Sequence, residues 1–519
     1  MRKEFTWRSL SLASIFAMIG ILIIVQMTRI QVSTEAADFR EQATRYKGWV
    51  ETVYPARGEI YDRNGNLLAG NQSVFEVGVT LQNIENAQSI AAILSTVLSV
   101  DYIETLTLIN NADEDQVYLR VADYVSSVQV EELRRIQGNI EEDNLNNSQE
   151  GQDSLAGLNF RRHLARSYPE NAIASNIIGF VNQSGRGYFG IEEKYNDLLA
   201  GNAVQVWVPA DPNRVEEIPH VPDGTTLVLT INRELQASTE QILDQSLYNY
   251  GAESGTIIVM DPKNGEILAM ASTPRLNLDN YSQYDQIFNS ASEYNRAINM
   301  PYEPGSVFKI LTMAAALDMG IVTPQTTYVD IGSFSINGTV IRNWDQGAWG
   351  LQDMTGCLRH SLNVCMAWIA TEMGTDNFYD YMSNFGIGHP TGIDLSGEAG
   401  GRLKVPGDAD WYPIDLATNS FGQGVTTTPI LMLMATSAVA NDGKMVAPHI
   451  LYGMVRNGKQ YDFPPQDAGT PISKGAAQAL SEMLANSIAG DDSNVAIPGY
   501  RLAGKTGTAQ IPTEYGWYS

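Results

Sequence analysis

The segment 307–319 is apolar almost all round, and Ala314-Ala315-Ala316 lets neighbours approach closely. A helix of that kind is buried on most sides, so the chain around it must build a core that covers it. Pro304-Gly305 turns the chain into this helix. Ser306 then sits in the first turn, and Lys309, three residues on, shares its face. A serine hydroxyl is a poor nucleophile unless a base lies within hydrogen-bond reach. A lysine serves as that base only if desolvation or a nearby cation keeps part of it neutral. Phe308, Ile310 and Leu311 supply the desolvation. The helix N-terminus adds positive potential at Ser306, where negative charge would develop. Ser-x-x-Lys by itself is a weak signal, since a chain this long holds roughly one by chance. The rest of the sequence has to decide.

With 519 residues, 44% hydrophobic and 18% charged, there is material for two or more packed domains. A net charge of -26 argues against nucleic acid as a partner and against electrostatic attachment to anionic lipid. The two cysteines, Cys357 and Cys365, lie about 12 Å apart if the intervening chain is helical. That is too far for a disulfide, so they are expected as buried thiols. The five histidines are scattered without metal-ligand spacing. No metal and no cofactor are expected.

Arg2, Lys3 and Arg8 precede an apolar run, 10–27, broken by Ser11, Ser14, Gly20 and Gln26. It is long enough for one membrane crossing, and its basic flank places the N-terminus in the cytoplasm. The rival reading is a cleaved signal peptide. It is disfavoured because the run exceeds a usual signal core and no small-x-small site follows directly. On either reading the residues after about 30 lie outside the cytoplasm. The chain then divides into a tail 1–8, an anchor 9–29, a first module 30–220 and a second domain 221–519.

Residues 30–48 read as a polar helical stalk. Asn64-Gly65 is a hairpin turn between short apolar strands. A strand is expected at 74–80 and amphipathic helices over 85–135. Residues 137–153, acidic and rich in Asn and Gln, read as a mobile surface loop. Gly179, Gly185, Gly187 and Gly190 mark turns, and Pro222-Asp223-Gly224 marks the boundary. Beyond it come a strand at 226–231, a helix at 233–250, and strands 255–261 and 266–272 joined through Pro262-Lys263-Asn264-Gly265. Strand, helix, then hairpin is an α+β beginning.

Two later stretches supply the context that Ser306 needs. In His360-Ser361-Leu362-Asn363-Val364, Ser361 and Asn363 can aim both side chains into one cleft. The hydroxyl can relay protons and the amide can hold a peptide carbonyl. Arg501 to Gln510, containing Lys505-Thr506-Gly507-Thr508, reads as a strand with glycine where a side chain would be. Glycine there suits close approach of another backbone, and a peptide can add to such an edge. Lys505, Thr506 and Thr508 can bind a carboxylate. The backbone N–H groups of Ser306 and Thr508 could hold the oxyanion of a tetrahedral intermediate. Strict alternation would send Lys505 to one face and both threonines to the other, so the strand must twist if all three act together.

These three motifs, in this order, form the set of β-lactamases and penicillin-binding proteins. The chain resembles a class B penicillin-binding protein, a peptidoglycan D,D-transpeptidase. The resemblance includes Arg57-Gly58, Asp62-Arg63-x-Gly65, Arg166-x-Tyr168-Pro169 and Gly190-x-Glu192 in the first module. It continues through Asn295-Arg296-Ala297, Glu303-Pro304-Gly305-Ser306, Thr391-Gly392-Ile393-Asp394, Phe421-Gly422-Gln423-Gly424 and Lys505-Thr506-Gly507-Thr508. Val307 stands where threonine is frequent, and Leu362 where serine is frequent. The resemblance implies an α+β fold: a transmembrane helix, an elongated non-catalytic pedestal, then a transpeptidase-like domain of antiparallel sheet with helices. It implies Ser306, Lys309 and Ser361 as catalytic residues, with Asn363, Lys505, Thr506, Gly507 and Thr508 binding substrate. Peptidoglycan stem peptides and β-lactam antibiotics are the implied ligands. A multi-pass glycan polymerase and other division or elongation proteins are the implied partners, at the cell membrane. In that fold the strand carrying Lys505 opens a meander closed by a further strand and a helix. Here the chain stops 14 positions after Lys505 (519 − 505). The expectation is a C-terminally incomplete chain, lacking about 50 residues or more and showing little or no acylation.

The rivals fare worse. A bifunctional class A enzyme would need a glycosyltransferase signature in 30–220, and none is found. The Glu-x-x-Leu-Asn context of a class A β-lactamase occurs only at Glu142-Asp143-Asn144-Leu145-Asn146, before Ser306 rather than after it. No Gly-x-Ser-x-Gly elbow supports a Ser-His-Asp hydrolase. Gly386-Ile387-Gly388-His389-Pro390-Thr391-Gly392 has the wrong last spacing for a dinucleotide loop. A membrane-bound penicillin sensor or a non-catalytic cell-wall scaffold remains the alternative. A sensor and an enzyme would both be acylated, and only the enzyme would join two stem peptides.

Overall fold

The computed structural model describes residues 2–32, 48–113, 116–146, 153–209, 221–288, 293–336, 338–489, 497–509, 511–513 and 516–518. The chain forms two compact units. The smaller comprises Met1–Ala56 and Gly201–Asp223. Its helix Arg2–Val32 contains Leu10–Arg29, 20 residues of mean hydropathy 2.4, none of them buried against protein. An apolar helix of that length left uncovered by protein is long enough to cross a membrane. The stalk expected at 30–48 falls largely outside the described residues. In the same unit the strands Gly48–Val53 and Val204–Pro209 pair antiparallel, Gly48 opposite Pro209.

The larger unit, Arg57–Ala200 with Gly224–Ser519, contains a seven-stranded sheet. Its order is Lys459–Asp462, Leu451–Arg456, Thr226–Leu229, Ile60–Tyr61, Leu67–Thr80 and Tyr118–Ser126, with Leu158–Ser167 also paired along Leu67–Thr80. All neighbours are antiparallel except Ile60–Tyr61 and Thr226–Leu229, which run parallel. One ladder therefore joins strands from both sides of residue 220. The Asn64-Gly65 hairpin forms between Ile60–Tyr61 and Leu67–Thr80. The buried Asp62 carboxylate fixes it by accepting from Asn64 N, Asn66 N, Asn66 Nδ2 and Arg233 N. The last of these ties the hairpin to the start of the helix Arg233–Tyr250. The strands Thr256–Met260 and Ile267–Ser272 pair as the sequence suggests.

Two local expectations need correction. The stretch 85–135 is not all helical: Ala87–Leu98, Tyr102–Asn110 and Ser127–Asn146 are helices, but Tyr118–Ser126 is a strand. Leu119 and Val125 pack with Val77 and Val79, and this cross-strand burial overrides the local pattern. The acidic stretch 137–153 is not simply a loop, because the helix runs through it to Asn146. Val130 and Leu133 anchor that helix in the core. Each further residue then adds a hydrogen bond at little cost. The strand Leu158–Ser167 went unread in the sequence.

Motifs far apart in this half of the chain converge on one buried carboxylate. Glu192 accepts from Arg57 Nε at 2.7 Å and from Arg166 Nε at 2.6 Å. The side chains of Glu192, Arg57 and Arg166 are 0%, 9% and 4% exposed. Arg166 also donates to Gly58 O, and buried Tyr168 donates to Glu192. The Arg57-Gly58, Arg166-x-Tyr168 and Gly190-x-Glu192 pieces are thus one ionic tie between three segments.

The helix Lys309–Asp318 is the centre of the largest core, with every residue from Lys309 to Ala316 buried. Residues from the helices Met354–Arg359, Asn363–Met373, Pro429–Ala440 and Lys474–Ala489 cover it.

Removing one partner of a buried ion cluster leaves the others uncompensated. Glu192→Ala should therefore destabilise the larger unit by about 3–5 kcal/mol. Denaturant unfolding checks this, and a loss below about 1 kcal/mol, as for an exposed pair, would mean the cluster is solvated.

Candidate active site

Ser306 lies in a short 3-10 turn, Gly305–Phe308, and the α-helix takes over at Lys309. The entry to this turn is clamped on one side by the chain around Phe421-Gly422-Gln423-Gly424. Gly305 N donates to Gly422 O at 3.0 Å, and Gly424 N donates to Glu303 Oε1 at 2.9 Å. Gly305 has φ +56°, and a β-carbon there would lie 2.5 Å from Thr508 O. Only glycine lets the third motif come this close.

Lys309 is fully buried. Its Nζ donates to Ser361 O at 2.6 Å, to Ser361 Oγ at 3.1 Å and to Asn363 Oδ1 at 2.7 Å. Burial, and after it the charge of Lys505, push its pKa well below the usual lysine range. Among the described residues no hydrogen bond joins Lys309 to Ser306. The ammonium is committed to the second motif instead.

That motif sits in a break between helices. Met354–Arg359 ends, Ser361 takes a left-handed φ of +53°, and Asn363–Met373 begins. The break turns both the carbonyl and the hydroxyl of Ser361 to Lys309. It also corrects the expectation for the cysteines. Because the chain is not one continuous helix, the Cα atoms of Cys357 and Cys365 are 6.2 Å apart and the two side chains form a disulfide. The bridge brackets Ser361 and Asn363.

Asn363 also donates, through Nδ2, to Arg342 O at 3.2 Å. One amide side chain thus spans from Lys309 to the loop 342–349. Val364 N donates to Asn343 Oδ1, and Trp344 Nε1 donates to His360 O. Sequence reasoning passed over this loop. The available signal was two tryptophans and an arginine within eight residues, 342–349.

The third motif is placed beside the first, but not as a strand. Residues 501–509 carry no regular secondary structure, and no described strand pairs with them. Thr256–Met260 and Ile267–Ser272 form a two-stranded ladder of their own. The segment contacts the Ser306 turn, where a β-carbon at Gly507 would lie 2.7 Å from Val307 Cγ2, and the helix Lys474–Ala489, where Arg501 pairs with Glu482. Lys505 Nζ donates to Thr506 O at 3.0 Å, and burial lowers its pKa to about 8. Farther on, Ile511–Thr513 and Gly516–Tyr518 pair antiparallel with each other and not with the segment that carries Lys505.

The geometry brings together a serine in a helix-entry turn, a desolvated lysine one turn on, a hydroxyl and an amide on that lysine, and a second cation. Such a set suits acyl transfer to a serine from a substrate that carries a carboxylate.

Comparison with known proteins agrees with this arrangement. A family model described as penicillin binding protein transpeptidase domain matches residues 255–518, and one described as penicillin-binding protein dimerisation domain matches 52–229. Stage V sporulation protein D of Bacillus subtilis is 32% identical over 476 residues, 88% of this chain and 69% of the relative. Peptidoglycan D,D-transpeptidase MrdA of Acinetobacter baumannii is 28% identical over 505 residues, 89% of this chain and 72% of the relative. The crystal structure of penicillin binding protein 2X from Streptococcus thermophilus shares the fold, with TM-score 0.73 at 22% identity, covering 91% of this chain and 73% of that one.

The two lysines should titrate as a coupled pair. Lys505 should lose its proton near pH 8, as its burial dictates. Lys505→Met removes the second cause of the Lys309 depression and leaves the first, so the pKa of Lys309 should rise while staying below the usual lysine range. NMR titration of isotopically labelled lysines reads both. An unchanged Lys309 in the variant would show that the charges do not interact.

Proposed function

The chain belongs to the penicillin-binding protein transpeptidase family, and from that premise we propose how its residues cross-link peptidoglycan stem peptides as a serine D,D-transpeptidase. One observation carries the assignment of roles: the only lysine buried in the core helix, one turn after Ser306, is held by Ser361 and Asn363 and has its pKa lowered.

Ser306 is the nucleophile. Its proton passes to Lys309, whose neutral form is favoured by desolvation. Catalytic hydrogen bonds absent without substrate commonly form in the complex, and here Lys309 and Ser306 share one helical face. Ser306 Oγ bonds to the carbonyl carbon between the two terminal D-alanines of a donor stem. The oxyanion is held by the N–H groups of Ser306 and Thr508, which no hydrogen bond engages among the described residues. The C–N bond breaks, and the last D-alanine leaves with a proton relayed by Ser361. An amine of a second stem then bonds to the acyl carbon, the C–Oγ bond breaks, and the amine's proton returns to Ser306. Asn363 holds the donor's amide. Lys505, Thr506, Gly507 and Thr508 line the donor and bind its carboxylate. β-Lactams resemble the donor terminus and acylate the same serine.

The helix around Leu10–Arg29 serves as a single membrane anchor, with the N-terminus cytoplasmic and the rest outside. Residues 30–220 act as a non-catalytic pedestal and 221–519 as the transpeptidase domain. A multi-pass glycan polymerase and other division or elongation proteins are the expected partners in the membrane.

In the full-length protein, labelled penicillin should attach to Ser306, and Ser306→Ala should abolish labelling while the fold persists. Undiminished labelling would place the nucleophile elsewhere. The adduct should hydrolyse slowly, because no carboxylate in a deacylating context follows Ser306. Turnover above about 1 per second, the low end of ordinary enzyme rates, would instead indicate a β-lactamase.

A further inference from the structure

Glu303-Pro304-Gly305 and Phe421-Gly422-Gln423-Gly424 meet at the Ser306 turn. Gly305 N donates to Gly422 O at 3.0 Å, and Gly424 N donates to Glu303 Oε1 at 2.9 Å. The approach is close: a β-carbon at Gly422 would lie 2.1 Å from Gly305 O and 2.7 Å from Gly305 N. Gly422 also takes φ +83°, so both space and conformation call for glycine there. The same segment is tied to the core helix, because buried Thr312 donates through Oγ1 to Ser420 O at 2.8 Å. One residue before Glu303, Tyr302 N donates to Thr427 O at 2.9 Å and Thr427 N to Tyr302 O at 3.0 Å. The two chain segments therefore stay paired without the Glu303 side chain. Glu303 adds a further tie, between that pairing and the turn of the nucleophile. Its other oxygen, Oε2, is closed off from solvent and no donor reaches it. Pro304, next in the chain, has no N–H to give. A buried acceptor left without a donor costs stability, so stability alone does not account for a glutamate here.

Both groups assigned to hold the oxyanion depend on Gly305. Ser306 N follows it in the chain and donates to nothing among the described residues. Thr508 O lies 2.5 Å from where a β-carbon on Gly305 would be, so the segment that brings Thr508 N seats against the same glycine. An oxyanion hole works only if its donors are already in place when charge develops. We propose that Glu303 and Gly422 are positioning residues for the oxyanion hole. They hold Gly305 so that Ser306 N–H stays unpaired and Thr508 stays beside it. This rests on the transpeptidase reading and extends it to residues that act through Gly305.

Rapid-mixing acylation of the full-length protein by nitrocefin, a chromogenic β-lactam, separates the dissociation constant of the first complex from the acylation rate. Glu303→Ala should lower the rate about 100-fold, the scale of an oxyanion donor lost or displaced, and leave the dissociation constant unchanged. Glu303→Gln keeps an acceptor for Gly424 N and should recover most of that loss. A parent-like rate in Glu303→Ala, no recovery in Glu303→Gln, or a loss confined to the dissociation constant would each overturn the proposal. So would a rate loss that merely follows a lowered unfolding midpoint, since the role would then be structural. A second reading needs no variant and no acylation. Amide exchange followed by NMR should find Gly305 N–H protected and Ser306 N–H open, and equal protection of the two would overturn the proposal as well. The transpeptidase reading fails separately, if Ser306 of the parent takes no acyl group while those two amides exchange as expected.

Discussion

A lysine ammonium with no exposure to water is the constraint on which the rest of the site depends. Burying such a charge costs on the order of several kcal/mol unless acceptors surround it. Lys309 finds three, Ser361 O, Ser361 Oγ and Asn363 Oδ1. To supply them, the chain has to stop one helix, turn through a left-handed residue, and start another. A left-handed serine costs about 1–3 kcal/mol. It persists because the surroundings over-determine it. The Cys357–Cys365 bridge closes the break from one side, and Asn343 caps Val364 from the other. Lysine burial, helix break and disulfide are therefore one device.

A second device of the same kind holds the first half of the larger unit. Glu192 is buried between two arginines that come from segments far away in sequence. Asp394 does similar work near the second half, accepting from Ile450 N, Leu451 N and Tyr195 Oη. Each carboxylate joins strands or turns that have no continuous backbone ladder between them. The single sheet running through both halves does the remaining joining.

The helix after Ser306 was legible because composition and period both point to burial. The positions of Ser361, Asn363 and Lys505 were legible as motifs. Their local structure was not. Cys357 and Cys365 were misjudged because helical spacing was assumed across a residue, Ser361, whose conformation no propensity announces. Tyr118–Ser126 was misjudged because its partner, Leu67–Thr80, lies about 40 positions earlier, and strand formation is settled by the partner's face. Residues 501–509 have strand-like composition, but their contacts go to the Pro304–Val307 turn and the helix Lys474–Ala489. Ladder pairing depends on a neighbour that sequence alone does not place. What reads well from sequence is what a short window determines.

The coupling between the two lysines bears on when Lys309 can work as a base. Burial is the larger cause of its lowered pKa, and the charge of Lys505 is the second. A carboxylate arriving at Lys505 forms a pair with little net charge, so the second cause fades on binding. The first does not fade. Had the depression rested mainly on the neighbouring charge, the carboxylate that positions a substrate would have restored the lysine's ordinary basicity and its proton. Because it rests mainly on burial in the helix Lys309–Asp318, the proposed base Lys309 would stay ready to accept the serine proton in the complex. On the proposed mechanism the apolar composition of that helix would serve catalysis as well as folding.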